Sequence, residues 1–216
     1  MTVQNKPKPR YHRQQLQKGI ESLPKLGMKA IRSAQLIEAT MQVVDRVGLH
    51  KASVAMIGAE AKVAPSIINH YFGGKSGLLE ATMKHVLQQL QAAVQLRLRK
   101  LESDDVVARI IAIIDGNFDP SQVESRVTKT WLAFWDHAMH EPTLFRLQRI
   151  NEKRLVSHLR FELKKVLPPD QATDVAATIA ALIDGIWLRG ALNPAGIDSQ
   201  RAKYLLIKYL SSQGLS

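Results

Sequence analysis

Trp131, Phe134 and Trp135 fall within five residues of one another, on adjacent faces of what reads as a single helix. Trp187 follows Asp184 by three residues, a spacing that puts an indole and a carboxylate on one side of another helix. Indole faces hold cations that have no hydrogen to donate, and a nearby carboxylate adds to the attraction. The same side chains equally make a packed core or a subunit interface, and spacing alone does not choose among these uses. A second group, Ser66, Asn69, His70, Tyr71 and Lys75, places polar and basic side chains on one side of a short segment. Asn69 can pair bidentately with an adenine edge, Ser66 with a base or a phosphate, and Tyr71 and Lys75 with phosphates. Packing beside Phe72 is the other use for Tyr71. Ser53, Lys62 and Pro65 flank this group and complete a candidate DNA-facing set.

Elements must position both groups. Leu36, Thr40, Val43, Val44 and Val47 recur at helical spacing and predict a helix from about Ala30 to Val47, ended by Gly48 in a left-handed turn. Ser53 is a good N-cap for a short second helix through Ala61, with Val54 and Ile57 on its apolar face. Lys62, Val63 and Ala64 make a tight turn, and Pro65 opens a third helix with Ile68 and Phe72 inward. Two short helices joined by three residues, the second polar on one side, form the helix-turn-helix pattern that lays its second helix in a DNA major groove. Such units also occur as ordinary packing. After Gly73 and Gly74 a helix from Lys75 to Lys100 makes a strut of roughly 38 Å. Further helices read from Asp104 to Asp115, Pro120 to Met139, Pro142 to Val166, Pro169 to Leu192 and Asp198 to Ser212, with Asp119 first of all a cap. The expected fold is all-α with about nine helices. It divides into a disordered basic arm (1–24), a three-helix DNA-binding head (25–75, motif about 53–72) and a helical ligand-binding and dimerisation body (76–216). Ala176, Ile179, Ala180, Ile183 and Trp187, followed by Tyr204, Leu205, Ile207, Lys208 and Leu210, read as a dimer face, with packing inside one chain as the alternative.

Charge supports this division. Of 216 residues, 30 are Lys or Arg and 19 are Asp or Glu. Residues 1–100 hold 16 bases against 5 acids, whereas residues 101–216 hold 14 of each, so the whole +11 lies in the first half. Nucleic acid is the leading partner for such a half, ahead of an anionic membrane surface, and a solubilising tail is the plain alternative. The absence of cysteine excludes a disulfide scaffold, thiolate zinc sites, iron–sulfur clusters and a cysteine nucleophile. No apolar run reaches the roughly 18 residues of a membrane span, and the basic N-terminus lacks a signal-peptide core, so a cytoplasmic protein is expected. Gly73, Gly74, Lys75 and Ser76 are not a phosphate loop, because Asn69 stands where its first glycine belongs. His137, His140 and Glu141 do not have zinc-protease spacing, and no nucleophile elbow is present. Neither enzyme activity, nor a cofactor, nor a metal is expected.

Several blocks match a known family. The stretch SVAMIGAEAKVAPSIINHYFGGKSGLL, from Ser53 to Leu79, resembles the DNA-binding signature of the TetR family, including Ile57, Ala61, Val63, Phe72, Lys75, Leu78 and Leu79. Within that family, the chain from Leu23 onward is similar to the choline-responsive repressors of glycine betaine synthesis. The blocks that carry this likeness are LPKLGM (23–28), QLIEAT (35–40), NHYF (69–72), GLLEATM (77–83), GNFD (116–119), WLAFW (131–135) and AALIDGIWLRGAL (180–192). The resemblance implies a homodimer joined through its last two helices, bound to double-stranded operator DNA and released by choline or a related quaternary ammonium inducer. It assigns the inducer to Trp131, Phe134, Trp135, Asp184 and Trp187. Those relatives usually carry basic residues at Ala59 and Glu60, glycine at Lys62 and serine at Ala64, so operator specificity does not transfer directly. Other readings are a TetR-like regulator of another cation or apolar molecule, and a helical ligand-binding protein that has lost DNA recognition.

Overall fold

A computed structural model describes residues 25–215; the expected disordered arm, residues 1–24, lies outside them. Among the described residues there are ten helical segments and no strand: α1 (Lys25–Val47), α2 (Val54–Glu60), α3 (Pro65–Phe72), α4 (Lys75–Leu98), α5 (Val106–Asn117), α6 (Pro120–Val123), α7 (Ser125–Ala138), α8 (Pro142–Leu163), α9 (Pro169–Ala191) and α10 (Ser199–Ser212). The all-α expectation is met, with α6 a single turn. Most boundaries lie within three residues of the sequence reading, and two differ by more. Helix α1 starts five residues earlier than the apolar stripe predicted, and the expected helix from Pro120 to Met139 breaks at Glu124, whose backbone is extended (φ −64°, ψ 141°). The break lets Ser125 open α7 and donate from Oγ to Asp45 of α1 at 2.9 Å.

Caps set most of the other ends. Ser53 accepts from the Met56 amide, Asp105 from Ala108, Asp119 from Ser121 and Asp198 from Arg201, each satisfying an orphan first-turn donor. Gly48 and Gly73 end α1 and α3 at φ 75° and 71°, a left-handed conformation that glycine adopts without steric cost.

Two apolar clusters organise the chain. Leu36, Val43 and Val44 of α1 close with Ile57 of α2, Ile68 of α3 and Leu78 of α4 into a head core. The second cluster joins Val86 and Val94 of α4 to Ile110 and Ile113 of α5, Trp131 and Phe134 of α7, Leu159 and Leu163 of α8, and much of α9 and α10. Helix α4 belongs to both. Its 24 residues span roughly 36 Å, from α1 and α3 at one end to α5, α6 and α8 at the other. Helix α7 is the second link, packed on α1. Asp45 of α1 receives Lys129 of α7 at 2.7 Å, and Arg126 pairs with Glu38. No helix among the described residues is long and apolar enough to cross a membrane.

The inward stripe of α9 corrects one expectation. Ala176, Ile179, Ala180, Ile183 and Trp187 are all buried within this one chain, as is Leu210 of α10. They are body core. The outward face of α9 carries Ala177, Ala181, Gly185 and Leu188, beside exposed Tyr204 and Leu205 of α10.

Candidate DNA-facing surface and ligand cage

The head builds its surface from a tight turn. A Cβ on Gly58 would stand 2.9 Å from the Val63 carbonyl oxygen, so glycine there lets the chain fold back closely from α2 into α3. Lys62 takes the left-handed conformation at φ 55°, which costs an L-residue roughly 1–2 kcal/mol. Ala64, the N-cap of α3, makes no side-chain cap bond, while Pro65 occupies the first turn. From that start Ser66, Asn69 and His70 point to solvent on one side of α3, opposite buried Ile68. Tyr71 is half-buried, its ring edge-on to His70 with centroids 5.3 Å apart. Lys75 is half-buried too, and its Nζ donates to the Leu49 carbonyl at 3.1 Å, tying α4 to the turn after α1. Ser53 is occupied by its capping bond. Ser53, Lys62, Pro65, Ser66, Asn69 and His70 are therefore exposed, and Tyr71 and Lys75 are half-buried beside them. Glu60, on the same head, pairs with Arg46 at 2.8 Å, so its charge and one base offset each other.

The body brings the three tryptophans together. Ring centroids lie 6.1 Å apart for Trp131 and Trp135, 6.3 Å for Trp131 and Trp187, and 5.3 Å for Trp135 and Trp187, all tilted or edge-on. These three and Asp184 line one cavity, together with Leu90, Asn117, Gln122 and Ile183. Its volume, about 30 Å³, holds about one water. Phe134 does not reach it: the ring packs edge-on against Trp131 and faces a separate small void at the seam between head and body. Trp135 and Asp184 also line a broad groove of about 850 Å³, with Met139, Pro142, Phe145, Gln148, Gly185 and Leu188. They stand between groove and cage.

Hydrogen bonds fix two indoles. Trp131 Nε1 donates to Gln122 Oε1 at 3.4 Å and Trp135 Nε1 to Gln148 Oε1 at 3.2 Å. The sequence reading missed both glutamines, which carry no motif and meet the tryptophans only through the fold. Asp184 is open to the groove yet closely surrounded by protein. Burial raises its carboxyl to about 6, and the Glu152 carboxylate adds to the shift. A carboxyl held high by lost solvation gains most from an arriving cation. Asp119 lies outside the cage: its carboxylate caps α6 and receives Arg97 of α4 at 2.6 Å. Among the described residues no cluster of His, Asp and Glu is arranged to hold a metal ion.

Known proteins carry the same two parts. Residues 36–82 match the model for bacterial regulatory proteins of the tetR family, and residues 106–214 match the C-terminal domain of BetI-type transcriptional repressors. The chain belongs to the TetR family, with a BetI-type C-terminal domain. It is 56% identical over 191 residues to the HTH-type transcriptional regulator BetI of Vibrio atlanticus, covering 88% of this chain and 96% of that one. Identity to the BetI of Ectopseudomonas mendocina is 51%, over 88% of this chain and 97% of that one. A transcriptional regulator of Pseudomonas aeruginosa shares the fold with a TM-score of 0.70 at 25% identity, over 89% of this chain and 93% of that one. A regulator of Saccharomonospora viridis, solved in complex with choline, superimposes with a TM-score of 0.72 at 16% identity, over 84% and 96%. This TetR-family chain is thus a transcriptional repressor and not an enzyme. Members of the family bind operator DNA, dimerise and bind small molecules.

Proposed function

We propose that this BetI-type regulator is a cytoplasmic repressor of genes that convert choline to glycine betaine, and that choline or a close quaternary ammonium relative releases it from its operator. The observation that carries the ligand reading is the meeting of Trp131, Trp135 and Trp187 with Asp184 around one cavity. Quaternary ammonium groups offer no hydrogen bond, so aromatic faces and an opposite charge are the means of holding them. That a regulator of the same fold was solved with choline supports the choice. On this reading residues 25–75 form the head, with Ser66, Asn69 and His70 facing base edges and Lys62 the backbone, and residues 76–216 the ligand and dimer body.

Cavity size suggests how binding acts. The cage holds about one water, and a trimethylammonium group is several times larger, so entry from the groove must displace Trp135. Trp135 and Trp131 sit on α7, which grips α1 of the head through Lys129 and Arg126. Widening the cage therefore moves the helix that holds the head, and ligand and operator oppose each other by the difference in ligand affinity between the two arrangements. Gel shifts on the region upstream of this protein's own gene test the reading. The expected result is a salt-dependent shift at nanomolar protein, reversed by millimolar choline. A shift that choline leaves unchanged while tryptophan fluorescence also ignores choline would reject the ligand.

A further inference from the structure

We infer that the Gln122 side-chain amide selects, among quaternary ammonium ligands of the cage, those that carry an oxygen acceptor; this deepens the ligand reading above and rests on it. Gln122 is 1% exposed and lines the same cavity as the three indoles and Asp184. An indole N–H can only donate, so the bond from Trp131 Nε1 fixes the oxygen end of the amide toward Trp131. The NH₂ end is left facing away, and Nε2 is buried with no hydrogen-bond partner. A buried amide donor without an acceptor is costly, and a ligand that satisfies it recovers that cost. The other amide of the cavity, Asn117, already donates one hydrogen from Nδ2 to the Ile113 carbonyl at 2.8 Å, whereas Gln122 Nε2 is wholly without a partner. An ammonium cannot serve either, since it has no lone pair to offer.

The position of Gln122 is set independently of any ligand. It sits in the one-turn helix α6, whose cap Asp119 is anchored to Arg97 of α4, so the amide is presented from a fixed wedge. On this assignment the charge of a bound ligand lies against the indoles and Asp184, and its oxygen accepts from Gln122 Nε2. A cation lacking the oxygen fills the aromatic end and leaves the amide as unsatisfied as before.

Three cations titrated into the full-length protein, with tryptophan fluorescence and calorimetry as readouts, test this: choline, its isostere propyltrimethylammonium with a methyl in place of the hydroxyl, and tetramethylammonium. Wild type is expected to bind choline about tenfold more tightly than the isostere, the scale of one neutral hydrogen bond. Gln122→Met, which keeps length but loses both the donor and the acceptor that holds Trp131, is expected to bind choline and the isostere alike, with tetramethylammonium reporting the loss of the Trp131 bond that all three cations share. Gln122→Leu is the second variant, thermal unfolding shows which of the two is folded, and the wild-type comparison needs neither. Equal wild-type affinity for choline and the isostere overturns the assignment, as does undiminished preference for choline in a folded variant. Failure of tetramethylammonium itself to bind overturns the cage reading, a separate and distinguishable result.

Discussion

Asp184 and Lys62 each hold an unfavourable state, and each makes a prediction. The folded carboxyl of Asp184 titrates near 6 instead of 3.8, so its neutral form is favoured by folding. Stability from this group is therefore fully present below pH 3.8 and lost as pH rises through 6. Asp184→Asn is expected to raise Tm at pH 7.5 by up to about 2–4 °C, the effect of 1 kcal/mol in a chain of this length, with solvent at the groove keeping it small. The gain should vanish by pH 4 in thermal melts, while choline affinity at pH 7.5 falls at least tenfold; a variant with unchanged choline affinity removes Asp184 from the site. Lys62→Gly relieves a left-handed lysine and is expected to add about 0.5–1 kcal/mol by urea unfolding, and to lower the salt slope of operator binding by about 1. Caps were legible at this scale, because Ser53, Asp119 and Asp198 act on amides two or three residues away. Gln122 was not, since its role depends on an indole nine positions on and on a cavity closed by α9. Phe134 shows the limit of spacing: Trp131 and Trp135 stand about 40° apart around α7, whereas Phe134 lies on the other flank of Trp131, toward the seam.

At the level of elements, α7 has two working faces. Trp131 and Trp135 build the cage, while Ser125, Arg126 and Lys129 hold α1 of the head. The bond from Lys129 is the main reason the Asp45 carboxyl lies below its usual 3.8, so the pair's contribution exists above that pH and is lost as pH falls below it. If α7 transmits the ligand signal, Lys129→Ala should leave choline affinity within twofold and reduce, severalfold, the choline-dependent loss of operator affinity. Fluorescence titration and gel shifts with and without choline measure the two quantities; a variant with wild-type release places the coupling elsewhere, with the Arg97–Asp119 link from α4 to α6 the next to examine. The aromatic cluster of α7, Trp131, Phe134 and Trp135, was visible in the sequence. The double use of α7 was not, and neither was the break at Glu124, because Ser125 meets its partner Asp45 of α1 eighty positions away in the chain.

At the scale of the whole molecule, the outward face of α9 and α10 is the surface we propose for assembly. Sequence periodicity found a stripe on α9, but a helix between a core and a subunit interface has two apolar faces, and the larger side chains marked the inner one. The outer one is made of small residues, Ala177, Ala181 and Gly185, followed by Leu188, 38% exposed, with Tyr204, 53% exposed, and Leu205 alongside. Small side chains let two helices approach closely, and a two-fold pairing of α9 and α10 would bury this face against itself. The same pairing sets two heads at a fixed separation, which operator half-sites about 34 Å apart require. A Cβ on Gly185 meets nothing within 4 Å, so this face has room for side chains within one chain and resists them only if a second chain is present. Ala181→Arg should therefore fold with a Tm close to that of a wild-type monomer, yet run in size-exclusion chromatography with light scattering at the 24.1 kDa of one chain, where wild type runs at twice that. Its operator affinity should fall by at least a hundredfold, since each head then binds a half-site alone, while tryptophan quenching by tetramethylammonium persists because the cage is built within one chain. A dimeric Ala181→Arg with full operator affinity would move the subunit interface away from α9.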